Sequence, residues 1–103
     1  MNYKVLIDYE AERDILTILH YIKDILKSPE ASKRIYKKLK DSILSLSDMP
    51  HRCSLIKEES YRSNGIRKLF VENYIIFFYI DEFNNEVHVF RVLYKRREWK
   101  SLI

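Results

Sequence analysis

Residues 65–99, GIRKLFVENYIIFFYIDEFNNEVHVFRVLYKRREW, decide the fold of this chain. They read as three short strands, 66–71, 74–80 and 87–94, rich in Val, Ile, Phe and Tyr. Glu72-Asn73 and residues 81–85 punctuate them with turn-forming polar residues, which predicts a meander of antiparallel hairpins. The last strand runs into Lys95, Arg96 and Arg97, so ammonium and guanidinium groups are delivered to one end of a sheet. Such a cluster suits a phosphate-bearing or acidic partner.

Outward from this meander, residues 3–7 form a short strand and turn at 8–10 into a helix. Ala11, Ile15, Ile18, Leu19, Ile22 and Leu26 recur at spacings of three and four and trace one helical face about four turns long. Asp8, Glu10 and Glu12 lie at its start and Lys23 and Lys27 at its end, the charge order that a helix dipole favours. Ser28-Pro29 ends that helix and opens another, with Ser28 as N-cap and Pro29 at the first helical position. Ile35, Leu39, Ser42 or Ile43, and Leu46 carry its apolar stripe to about residue 47, while Lys33, Arg34, Lys37, Lys38 and Lys40 crowd the other side. The link is so short that the two helices form an antiparallel hairpin. Met49-Pro50 closes it, and residues 51–64 are an irregular, polar stretch. The order is β-α-α-β-β-β, an α+β fold with an antiparallel sheet packed on one face by a helical hairpin.

At 103 residues the chain is one domain, 1–103, and its 47% hydrophobic and 14% aromatic content suffices for a core. The net charge of +4 is unevenly placed. Residues 1–50 carry nine Lys and Arg against eight Asp and Glu, whereas five of the ten cations in the second half lie within 91–100. Cys53 is alone, which excludes a disulfide framework and a thiolate-built metal site. No histidine pair stands at metal-ligand spacing, and no cofactor motif is present, so neither metal nor cofactor is expected. The N-terminus turns acidic by Asp8 and is no signal peptide, and no apolar run reaches membrane length. A cytoplasmic protein is expected.

The second and third meander strands are apolar on both faces. Tyr74, Ile76, Phe78 and Ile80 alternate with Ile75, Phe77 and Tyr79; Val87, Val89 and Leu93 lie on one side of the third strand, with His88, Phe90, Val92 and Tyr94 on the other. Helices can cover one face. The other is expected to be an exposed apolar and aromatic surface for a partner, unless the stretch 48–64 folds over it.

The chain resembles the RelE/ParE superfamily of bacterial toxins over nearly its whole length. The segments GIRKLFVENYIIFFYIDE and VFRVLYKRREW carry the resemblance, the latter similar to the family's R-x-L-x-G-R-R-D-W ending through Arg91, Leu93, Arg96, Arg97 and Trp99, with Lys95 and Glu98 as variants. The resemblance implies a growth-inhibiting toxin neutralised by a cognate antitoxin in a hetero-oligomer. It offers two targets: DNA gyrase, inhibited without cleavage, or messenger RNA cut on the ribosome without a metal. Lys68 and Arg96 match basic positions of the nucleases, but Ile75 stands where a further arginine is expected, which removes a charge-stabilising cation and leans the reading to gyrase. Tyr94 or His88 would supply a nuclease's proton. Arg67, Arg91, Arg96 and Arg97 are the target-binding candidates, and Ile75, Phe77, Tyr79, Phe90 and Tyr94 the antitoxin-binding ones. A non-toxic protein-binding domain is the remaining alternative.

Overall fold

The computed structural model describes residues 2–97 and 102–103. In chain order the elements are β1 (Lys4–Ile7), α1 (Tyr9–His20), α2 (Pro29–Ser45), α3 (Glu59–Arg62), β2 (Arg67–Val71), β3 (Tyr74–Asp81) and β4 (Glu86–Tyr94). A π-helical turn, Tyr21–Ile25, prolongs α1, and a 3-10 turn, Pro50–Arg52, follows α2. Among the described residues the strands form one sheet in the order β1-β4-β3-β2. The α+β order expected from the sequence holds, and none of the described helices is long and apolar enough to cross a membrane.

The meander folds through local turn chemistry. Glu72, at φ 53°, reverses β2 into β3, pairing Val71 with Tyr74. Between β3 and β4 the Asp81 carboxylate accepts bonds from the backbone N–H of Asn84 (3.1 Å) and its side-chain amide (2.8 Å), and Asn85 adopts φ 54°. Asp and Asn suit both roles, since their short polar side chains bond locally and tolerate left-handed backbone. The first strand, whose neighbour the sequence left open, lies parallel to β4, from Lys4 opposite Glu86 to Ile7 opposite Val89. Parallel neighbours need a long crossover, and the helical hairpin belongs to it.

The hairpin covers one face of the sheet. Ala11, Ile15, Ile18, Leu19 and Ile22 from the first helix and Ile35, Leu39, Ile43 and Leu46 from the second pack on Ile76, Phe78, Val87, Val89 and Val92. Lys27, at φ 56°, turns the chain between them, and Pro29 opens α2 with Ser28 at the N-cap, although the Ser28 side chain makes no capping bond. Ser32 is buried at the helix crossing, where its Oγ donates to the Leu19 carbonyl at 3.0 Å. The serine is small and satisfied, so it tolerates a position that would penalise an unpaired hydroxyl.

Two expectations for the opposite face are corrected. The face is not open. Ile56, fully buried, packs on Ile75, Phe77 and Leu93, and Tyr61, Ile66, Phe90, Leu102 and Ile103 close around them. The stretch read as irregular therefore covers the sheet, and it contains the single-turn α3. It also extends the sheet edge: the Ile56 N–H donates to the Ile66 carbonyl and the Lys68 N–H to that of Ser54, with Leu55 bridged to Arg67. Such pairing blunts an edge strand that would otherwise invite other chains.

The second correction concerns which residues share a face. Phe77 lies opposite Arg91 but Phe78 opposite Val89, so Phe90 is an extra residue in β4. A bulge of this kind shifts the alternation by one position. Val92 consequently joins Val87 and Val89 under the helices, and Leu93 joins Phe77 on the other face, the reverse of strict alternation.

Candidate functional site

The cations proposed from the sequence divide into two groups. Arg91 and Arg67 are engaged inside the fold. The Arg91 guanidinium grips the Asp14 carboxylate with two bonds, Nε to Oδ2 at 2.7 Å and Nη2 to Oδ1 at 3.0 Å, and donates a third to the Leu102 carbonyl at 2.8 Å. Asp14 also accepts the Val92 backbone N–H at 2.9 Å, so its carboxylate joins α1 to β4, and the guanidinium extends the link to Leu102. The bond to Asp14 stabilises the charged guanidinium and raises its pKa. Arg67 donates to the carbonyls of Cys53 (2.6 Å) and His51 (3.3 Å), holding the covering segment against β2. Both target-binding candidates thus spend donors inside the fold.

Lys68, Arg96 and Arg97 are the more available group. Lys68 is half-buried, its Nζ 5.4 Å from the centroid of the Phe70 ring on the same face of β2. Arg96 and Arg97 are exposed in the turn after β4, which is tied back by the Lys95 N–H to the Asn73 carbonyl at 2.8 Å. Among the described residues neither arginine joins an ion pair. Trp99 and Glu98, which the sequence motif includes, lie outside the described residues.

The apolar candidates divide similarly. Ile75 and Phe77 are 3% and 0% exposed beneath the covering segment and present no surface to a partner. Tyr79 and Tyr94 remain partly open, and Phe90 is half-buried. Tyr94 meets Tyr74 edge-on at 5.9 Å, and Tyr79 stacks flat on His88 at 4.9 Å. Burial, then the nearby Asp8, Asp81 and Glu86, push the Tyr79 pKa up, so its phenol holds its proton.

His88 lies between carboxylates, its Nε2 3.0 Å from Glu86 and its Nδ1 3.7 Å from Asp8. Asp81, Glu86 and His88 bring ligand atoms within 4.8 Å of one another. Asp81 is already bonded to Asn84 and His88 to Glu86, so these groups are explained by the hairpin they stabilise. His51, the loop histidine, packs edge-on against Tyr3 at 5.9 Å and stands 3.3 Å from Glu82. No described histidine stands beside Arg96. Cys53 is buried, which pushes its thiol pKa up and makes it a poor nucleophile.

One surface escaped the sequence reading. A cleft of about 260 Å³ runs between β1 and the helical hairpin, lined by Ile7, Ile15, Tyr36, Leu39, Lys40, Ile43 and Leu44. Its rim is apolar yet open: Ile7 is 45% exposed, Tyr36 48% and Leu44 55%. The signal was present in Tyr36 and Leu44, apolar residues beside the stripe of α2 instead of within it. β1 is the sheet's other edge, so this cleft adjoins a strand with one neighbour only.

Comparison with known proteins agrees with this architecture. The model for the ParE toxin of the type II toxin–antitoxin system parDE matches residues 5–99. Among solved structures, the chromosomal ParDE system from P. aeruginosa is similar at TM-score 0.70 and 18% identity, over 89% of this chain and 95% of that one. The RelBE2 toxin–antitoxin complex from Mycobacterium tuberculosis is similar at TM-score 0.64 and 19% identity, over 91% and 99%. An archaeal RelE–RelB complex from Pyrococcus horikoshii OT3 reaches 0.57 at 15% identity, over 94% and 99%. At these identities the structures show a shared fold. No curated protein matches in sequence. The family model spans nearly the whole chain, and this chain belongs to the ParE toxin family of type II toxin–antitoxin systems.

Proposed function

We propose that this ParE-family toxin inhibits DNA gyrase without cleaving nucleic acid, and that a cognate antitoxin silences it. The observation that carries the first part is the state of the sheet's cations. Ile75 is buried where a nuclease of the superfamily is expected to hold an arginine, and Arg67 and Arg91 are engaged inside the fold. Lys68 and Arg96 remain, on the face of β2 and beyond the end of β4. Metal-free phosphodiester cleavage needs several cations and a proton carrier converging on one phosphate. Docking on a large enzyme needs only an exposed basic end, which Arg96 and Arg97 provide.

Supercoiling by purified gyrase in the presence of the toxin tests this reading. Supercoiling should fail while transcripts from expressing cells stay intact by primer extension. Codon-phased cuts with unimpaired supercoiling would reverse it in favour of an mRNA endonuclease. Arg96→Ala with Arg97→Ala should reduce growth arrest and leave the melting temperature unchanged, because neither side chain contributes to the core.

The antitoxin reading rests on different features. The P. aeruginosa neighbour is a ParDE system and the M. tuberculosis neighbour a toxin–antitoxin complex. The apolar cleft beside β1 suits an amphipathic antitoxin segment, with Ile7, Tyr36 and Leu44 as anchors and Lys40 for an acidic residue. Tyr79 and Phe90, 6.0 Å apart on the face opposite the helices, offer a second, smaller contact, whereas Tyr94 lies against Tyr74 on the helix face. Leu44→Glu should then weaken antitoxin capture and leave toxicity in place, separating the antitoxin site from the target site.

A further inference from the structure

The charge of this chain is concentrated where two distant segments meet. Residues 30–41 of α2 hold five Lys and Arg against Glu30 and Asp41, and residues 95–97 add three cations. The β2–β3 turn joins the two segments. Glu72 Oε2 accepts from Arg34 Nη1 at 2.6 Å and stands 2.8 Å from Lys38 Nζ, while the carbonyl of the next residue, Asn73, takes the Lys95 N–H at 2.8 Å. The two segments and the turn together hold eight cations and three carboxylates, an excess larger than the +4 of the entire chain, so the rest of the molecule is close to neutral.

We infer that this surface binds the phosphate backbone of duplex DNA. Arg34, Lys37 and Lys38 are all exposed on α2, and Arg96 and Arg97 are exposed beyond the strand. Ile35, between them in sequence, is buried, and Tyr36 turns to the apolar cleft, so α2 places no apolar anchor among its cations; Tyr94, beside Lys95, is partly exposed at the border. A protein partner would normally require such anchors at the centre of its interface, and an embedded membrane contact would require an apolar face. Cations with an aromatic only at their border fit a partner read through charge, and the sequence-independent part of DNA binding is of this kind. Glu72 fixes Arg34 and Lys38 side by side before any ligand arrives, which lowers the ordering cost of two long side chains. The contact does not depend on the gyrase reading, since it requires only toxin and DNA.

The test is fluorescence anisotropy of the full-length toxin with a labelled 20-base-pair duplex across a salt series. Binding should strengthen steeply as salt falls, with a Kd on the order of 10 μM at low salt. Arg34→Gln with Lys38→Gln should weaken it at least about tenfold and reduce the slope of log K against log salt by about 2. Lys23→Gln with Lys27→Gln removes the same charge from exposed positions at the end of the first helix and should change affinity less than about threefold. Lys37→Gln with Lys95→Gln, which leaves Glu72 paired, serves as a second surface variant and should weaken binding likewise. Equal losses from the Lys23/Lys27 pair would show a net-charge effect and overturn the inference. Absence of salt-sensitive binding, or equal or tighter binding of single-stranded RNA of the same length, would overturn it too.

Discussion

The two faces of the sheet are buried by different means. On one, two helices lay a continuous apolar stripe over Ile76, Phe78, Val87, Val89 and Val92. On the other, a segment with a single-turn helix, together with Leu102 and Ile103, covers Ile75, Phe77 and Leu93. The first cover is periodic and self-supporting. The second depends on individual bonds: Arg67 to the carbonyls of His51 and Cys53, Arg91 to that of Leu102, and the strand-like pairing at residues 54–56. Equal burial can thus arise from very unequal local structure, and Arg91, bonded both to Asp14 of α1 and to Leu102, links the helical hairpin to the second cover.

The largest expected effects compare the two faces directly. Phe77 and Phe78 are neighbours, both 0% exposed, and point to opposite faces. Phe78→Ala should cost about 3–5 kcal/mol in urea unfolding, the range for large-to-small core changes, and Phe77→Ala should cost the same if the second cover packs as densely. A Phe77 cost below about 1 kcal/mol would mean a cover that collapses into the gap. Next comes the Asp14–Arg91 pair, whose side chains are 14% and 18% exposed. Asp14→Ala leaves a half-buried guanidinium with one partner and should cost about 2–3 kcal/mol, with strong coupling to Arg91→Ala in a double-mutant cycle.

Arg67→Ala should cost roughly 1–2 kcal/mol, as expected for a lost charged-donor bond, and should accelerate local opening more than global unfolding. Cys53 reports that opening, because its buried thiol should react with a thiol reagent faster in the variant. The smallest effect lies outside both covers. The bond from Lys38 first, and then Arg34, holds the Glu72 carboxyl below its ordinary pKa. A depressed folded-state pKa gives stabilisation that is complete above the unfolded value and lost as pH falls through the folded one. Glu72→Gln should therefore lower the melting temperature slightly at neutral pH, and the gap should close in acid, below about pH 4.

Much of this architecture was legible in the sequence because it is periodic. The helical stripes at Ile35, Leu39, Ile43 and Leu46 and the β-rich runs separated by Glu72-Asn73 carry their geometry locally. The cover of the second face was not legible as structure, since Ile56, Tyr61 and Ile66 follow neither period. The swap of Val92 and Leu93 was hidden for a related reason: one extra residue at Phe90 changes no composition but inverts every later side chain. The candidate site suffered most. Arg91 reads as a surface cation until its partner is known, and that partner lies 77 positions away in α1. Arg96 and Arg97 have no described ion-pair partner, and their exposed position after β4 matches the sequence expectation.

The parallel seating of β1 has a consequence for the order of synthesis. Lys4 is made well before its strand partner, Glu86, with the helical hairpin and two strands lying between them in sequence. Contacts of that span delay folding, since most of the chain must be ordered before they form. The hairpin of helices can gather early, but the sheet acquires its first strand only when β4 emerges. The sheet of a toxin built this way stays unfinished until β4 has been made.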